Sequence, residues 1–418
     1  MDQKITFTRK LNINGPFESN LFLRKLWSAF EELEISKGEK GNGWQYMPFE
    51  LNENEIWVGS CNAAGEVIVK LGKSGGLDSI SFKCSIPNKD EINACVDKAL
   101  NKTNEPIKYC CIYYCESFDK TQVVNSSFKN VSIFSQKDRD IKVCINVMAF
   151  GMKDAHHILM NMFPYVSALL FVYFKNGIVI NKIGISPNHF DGTCFKDGEP
   201  KQNEWYDGDE ISRDKDGKYL VQTQLLKALN VLESLVWDRK NDIYPLLNSA
   251  RNIHLADDEL DVLFKKKIKR DTDYSLLDGY VNGMIMSALE GLATRNSEPK
   301  KCPECGQPIY SISKAVRDYV SINFNDSLAD TAMYLYNKRS KLFHRNRITM
   351  YEYTGTSWPL LMTFKEDRND EVIKLGTRKI KQRFISYVNF STYINFIDYL
   401  NFLIRKELDD FFKASATD

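Results

Sequence analysis

The feature that most constrains the fold is a change of hydrophobic period near Tyr219. Before it, short apolar runs alternate with polar residues and turn formers, the pattern of half-buried strands. I-T-F-T from Ile5, E-I-W-V-G-S from Glu55, G-E-V-I-V-K-L from Gly65 and S-I-S-F-K-C from Ser79 read this way. So do K-Y-C-C-I-Y-Y-C, V-S-I-F, I-K-V-C-I-N-V-M and G-I-V-I-N-K-I-G-I, with a helix expected from Phe22 to Leu33. After Tyr219 the apolar residues recur at helical spacing. Val221, Leu225, Leu229, Leu232 and Val236 predict one helix to Trp237, and others follow from Asp257, from Asp273 to Leu292 and from Phe384 to Phe412. The aromatic residues of that last stretch belong to a bundle core rather than to a base-stacking platform. The fold class is therefore α+β: a β-rich mixed region over 1–218, with a possible break near 105, then a helical region over 219–418.

One run tests whether such a chain meets a membrane. Ile158 to Phe174 is almost continuously apolar, at the short limit of a spanning helix. Asn161, Pro164 and Ser167 interrupt it, and a strand-like stretch follows, so a buried helix and no membrane partner are expected. The start, M-D-Q-K-I-T-F-T-R-K, lacks the apolar segment of a signal peptide. Ten cysteines without a regular framework then read as reduced thiols, and the expected location is cytoplasmic.

Two motifs invite ligand readings and fail on spacing. L-G-K-S-G-G, from Leu71, contains Gly72-Lys73-Ser74, but a phosphate loop needs a glycine at position 67, which is Val67. A glycine-rich hairpin is expected instead. Asp214-Lys215-Asp216-Gly217 lacks the third acidic ligand and the closing glutamate of a calcium loop, so it reads as a tight turn.

Charge is arranged rather than accumulated. The net charge is only +1, yet Lys338, Arg339, Lys341, Arg345 and Arg347 crowd together around His344 without an acid among them. An anionic partner such as phosphate follows, and contact with nucleic acid would have to come from this local patch. The run Y-N-K-R-S-K-L-F-H, with Arg339 and His344 in an R-x4-H arrangement, resembles the signature of HEPN domains, and among them the Apea-like group. The S-A-L-E-G-L run carrying Glu290 resembles the helix that precedes that signature. A glycine often follows the histidine in that group, and here Arg345 does. The resemblance covers the last 150 to 200 residues. It implies an all-helical, usually dimeric domain that cuts RNA without a metal cofactor, commonly within bacterial anti-phage or abortive-infection systems, with a phage-derived trigger sensed by the preceding region.

The residue types suit that chemistry. Transesterification by the 2'-hydroxyl needs a base, an acid and positive charge at the phosphorane. His344 serves as base or acid, and Arg339 as a permanently charged, bidentate phosphate ligand. Glu290 is a candidate to orient His344 or a dimer contact. Lys338, Ser340, Lys341, Arg345 and Arg347 are candidates to guide the RNA strand, with a solvated charged face as the competing reading for Lys341, Arg345 and Arg347. Five positions along a helix place two side chains about 140° apart, so either the helix ends between Arg339 and His344 or two copies face each other. The competing function is a non-catalytic RNA, nucleotide or protein-binding regulatory module.

Between the two key helices, Cys302-Pro303-Glu304-Cys305-Gly306 has the form of half a zinc knuckle. Three readings stay open: a structural loop, a redox pair, or a structural zinc completed elsewhere, for which a second protomer related by a two-fold axis would supply the missing pair.

Overall fold

The apolar run 158–174 became the hub on which both halves of the chain are packed. The structure is a computed structural model that describes residues 5–38, 45–72, 75–84, 89–101, 105–136, 140–187, 213–237, 242–265, 271–295, 300–301, 308–309, 312–345 and 390–414. Its fold is α+β, with two antiparallel five-stranded sheets in the first part and mostly helices after them.

The first sheet is built from β1 (Ile5–Ile13), β2 (Gln45–Asn52), β3 (Glu55–Cys61), β4 (Gly65–Leu71) and β5 (Leu77–Cys84), in the order β1-β5-β4-β3-β2. α1 (Pro16–Ser36) and α2 (Lys89–Leu100) share its core. Phe22, Leu26 and Phe30 of α1 meet Val67, Ile80 and Phe82 of the sheet, and Ile92 and Val96 of α2 close the cluster. α1 is longer than the periodicity predicts because Pro16 stands at its start, where a fixed φ favours a helix and no N–H is missed. At the glycine-rich corner Gly72 donates to Gly76 and Gly75 to Gly72, which makes it a hairpin turn and not a phosphate cradle.

The second sheet contains β6 (Ile107–Ser117), β7 (Ser126–Phe128), β8 (Val131–Ser135), β9 (Asp140–Ala149) and β10 (Ile178–Ser186), in the order β10-β6-β9-β8-β7. α3 (Met152–Phe174) lies on it. It is the one helix among the described residues long and apolar enough to cross a membrane, but Ile158, Leu159, Met162, Val166 and Leu169 are fully enclosed by the protein. Each such side chain contributes about 1.5–3 kcal/mol by leaving water.

The helical part comprises α4 (Thr223–Asn230), α5 (Leu232–Trp237), α6 (Tyr244–Lys265), α7 (Asp271–Arg295), α8 (Ile312–Asn323), α9 (Asp326–Arg345) and α10 (Phe390–Ala414). The helix expected over 221–237 is broken at Val231, whose carbonyl accepts from both the Ser234 hydroxyl and the Leu235 N–H and so opens the next helix. Residues 219–418 are not wholly helical either: β11 (Lys300–Lys301) and β12 (Pro308–Ile309) form a small antiparallel ribbon.

The core does not divide where the composition changes. One cluster runs from Phe22 to Ala99, and a second runs from Tyr109 to Phe412, uniting the second sheet, α3 and the helices. The physical reason is α3, which buries one side on β6 and β9 and another on α6, α4 and α10. At 214–217 the Asp214 side chain accepts from the Asp216 and Lys218 N–H groups and Gly217 has φ +79°, a tight turn as its sequence predicts. The seven described cysteines are buried and unbridged.

Candidate active site

α7, α8 and α9 pack against one another, and the interface of α7 with α9 brings two sequence-predicted residues together. The Arg339 guanidinium donates to the Glu290 carboxylate, with the two side chains 27% and 19% exposed. Their separation in sequence is 49 residues, so this pairing is a product of the helix packing.

Two neighbouring contacts fix that packing. Asn282, fully buried on α7, donates its amide to the Leu335 carbonyl at 3.0 Å, one turn before Arg339. On the other side of α7, Ser249 of α6 donates to the Ala288 carbonyl at 2.9 Å. A Cβ on Gly291 would stand 2.8 Å from the Ser249 hydroxyl oxygen, so glycine lets α6 approach immediately beside Glu290. The small residue in S-A-L-E-G-L therefore has a local role: it seats the helix that presents the carboxylate.

The helix bearing Arg339 continues without interruption to Arg345. That settles the first of the two geometric alternatives, because positions 339 and 344 on an unbroken helix lie about 140° apart around its axis. The side chains of Lys338, Ser340, Lys341, His344 and Arg345, and the whole of Arg347, lie outside the described residues. Cys302 and Cys305 lie outside them as well, although Lys301 pairs with Pro308 and so brackets their segment. Among the described residues there is no cluster of three or more metal-ligating side chains.

A second Arg–Glu pair sits on the same helix, and the sequence gives no warning of it. Arg295 donates to Glu407 of α10 at 3.0 Å, Tyr319 of α8 donates to the other carboxylate oxygen at 3.0 Å, and the guanidinium lies 5.3 Å from the Phe411 ring centre. Burial, and then the Glu407 charge, push the Tyr319 hydroxyl well above the ordinary tyrosine range, so it remains a donor. This is a clamp closed on itself.

Ser167, His254 and Asp258 superficially resemble a nucleophilic triad, with Ser167 Oγ 3.4 Å from Nε2 and Nδ1 3.7 Å from the aspartate. The second distance is too long for a hydrogen bond, and Ser167 sits inside α3, where the helix ladder uses the backbone N–H groups an oxyanion would need. Burial lowers the His254 pKa, and its ring packs on Phe171. The trio is part of the α3–α6 packing.

Comparison of the chain with protein-family models, with curated proteins and with solved structures finds no match in any of the three.

Proposed function

We propose that this chain is a HEPN-type endoribonuclease that cleaves RNA without a metal cofactor, at a site completed by a second copy. The observation that carries the reading is the Arg339–Glu290 pair on a helix that runs unbroken past His344. Glu290 orients the guanidinium, and the phosphate approaches the outer side of that guanidinium. In the reaction the 2'-oxygen loses its proton to a base and bonds to phosphorus, the bond from phosphorus to the 5'-oxygen breaks, and that oxygen takes a proton. The products are a 2',3'-cyclic phosphate and a 5'-hydroxyl end. Arg339 stabilises the charge that gathers on the phosphoryl oxygens, and His344 of the facing copy transfers a proton. Lys338, Ser340, Lys341, Arg345 and Arg347 track the strand, as a basic surround on one helix end would.

The resemblance places such a protein in the cytoplasm as an anti-phage or toxin effector, with the first sheet and its helices as the sensing part. A zinc shared by Cys302 and Cys305 of two copies would tie the dimer together. The second reading is a binding module, favoured by the engagement of the guanidinium with Glu290. Incubating total RNA with wild type, Arg339→Ala and His344→Ala, with and without EDTA, separates the two. Cyclic-phosphate ends made only by wild type, and unaffected by EDTA, support the nuclease. RNA retained without new ends supports the module.

A further inference from the structure

Where the two cores meet, α1, the first half of α3 and the edge strand β10 enclose a cavity of about 730 Å³, within the range that holds a drug-sized or cofactor-sized molecule. Leu23, Trp27, Leu159, Met160, Ile183 and Ile185 give it an apolar lining in which a flat ring and a deformable thioether stand together. Its two carboxylates are already committed to the joint. Asp154 accepts Arg24 Nε at 3.0 Å, Arg24 Nη2 at 2.9 Å and the Phe150 N–H at 3.0 Å. Glu31 accepts the Lys153 N–H at 3.2 Å, and burial pushes its pKa up.

The basic groups lie together on the opening turns of α3. Lys153, His156 and His157 line the cavity there, at the positive end of the helix dipole, although burial lowers the His157 pKa and keeps that imidazole a neutral hydrogen-bonding group. Asn20 stands on the α1 wall, and its amide offers both a donor and an acceptor to the edge of a heterocycle. An apolar lining that includes the Trp27 ring, an amide on one wall and Lys153 with two imidazoles on the other describe a ligand with a planar heteroaromatic body and an anionic group. We infer that this cavity is a binding site for a free nucleotide of nucleoside monophosphate size, held between the two cores. The inference stands apart from the reading of Arg339 and His344, which lie on α9.

The test is calorimetric titration of the full chain with each of the four ribonucleoside 5'-monophosphates, with the matching nucleosides, with inorganic phosphate and with a short RNA of the same bases. At least one monophosphate is expected to bind saturably at one per chain. Its nucleoside and phosphate alone should each bind at least tenfold more weakly. Met160→Glu, at an exposed position that leaves the core untouched, sets a carboxylate at the mouth and should weaken binding at least tenfold with an unchanged melting temperature. Lys153→Ala with His156→Ala should weaken it similarly. The proposal is overturned if no monophosphate binds, if Met160→Glu binds as tightly as wild type, or if the RNA binds more tightly than the nucleotide and loses that affinity in the same variants. Binding that persists in Arg339→Ala keeps this site distinct from the proposed nuclease.

Discussion

The two Arg–Glu pairs on α7 use the same side chains for different ends. In the Arg295–Glu407 pair both carboxylate oxygens are taken, an aromatic ring covers the guanidinium, and the side chains are 13% and 14% exposed. In the Arg339–Glu290 pair the described contact of the carboxylate is one guanidinium, and both groups are more open to solvent. A closed pair ties α7, α8 and α10 together. The half-open pair on the same helix leaves both groups partly exposed to solvent, and in the proposed function a phosphate binds at this guanidinium. The difference lies in the neighbours and not in the residue types.

Breaking the closed pair should have the largest effect on stability. Glu407→Ala strands a buried guanidinium and should cost about 3–5 kcal/mol in urea unfolding, with the cleavage rate per folded molecule unchanged. Arg339→Ala should do the reverse. Its loss of stability is about 1 kcal/mol or less, as expected for a partly exposed pair. Its loss of rate is about 10²–10³-fold, the cost of removing one group that stabilises transition-state charge. Glu290→Gln keeps an acceptor but loses the charge that orients Arg339. Its rate should fall between those of wild type and Arg339→Ala, by about tenfold, through poorer positioning. A stability loss in Arg339→Ala as large as that in Glu407→Ala would erase the distinction.

The smallest effect concerns pH and lies at the joint of the cores. Burial raises the Glu31 pKa above its unfolded value, so the folded state holds the proton more firmly. That contribution is fully present below the ordinary glutamate pKa and is lost as pH rises through the raised one. Relative to Glu31→Gln, the wild type should therefore become less stable across that interval, as followed by thermal melts. A parallel pH response of the two proteins would contradict it.

Much of the strand pattern was legible because alternation has a period of two and needs no distant information. G-E-V-I-V-K-L forms β4 over Gly65–Leu71, and the run at 158–174 is the enclosed helix its interruptions suggested. β2 was missed because it is an edge strand whose Met47, Phe49 and Leu51 are exposed, which leaves no buried face to mark it. The division of the core near residue 105 is only partly legible in the sequence, since composition does not record that α3 serves a sheet and a bundle at once. In the site, Arg339 and Glu290 were named from a local motif and the structure brings them together. Asn282, Arg295, Glu407 and the cavity at α1 were invisible for a common reason: their roles come from residues far away in the chain. The only local hint was Asn282, a polar residue among the apolar neighbours Val281, Met284 and Ile285.

The central claim, that Arg339 and His344 act from different copies, is tested by mixing Arg339→Ala and His344→Ala chains after unfolding and refolding them together. Half of the dimers then carry one of each, and each mixed dimer has one intact composite site of two, so activity should return to about a quarter of the wild-type level. Activity that stays at the level of the separate variants would contradict a shared site.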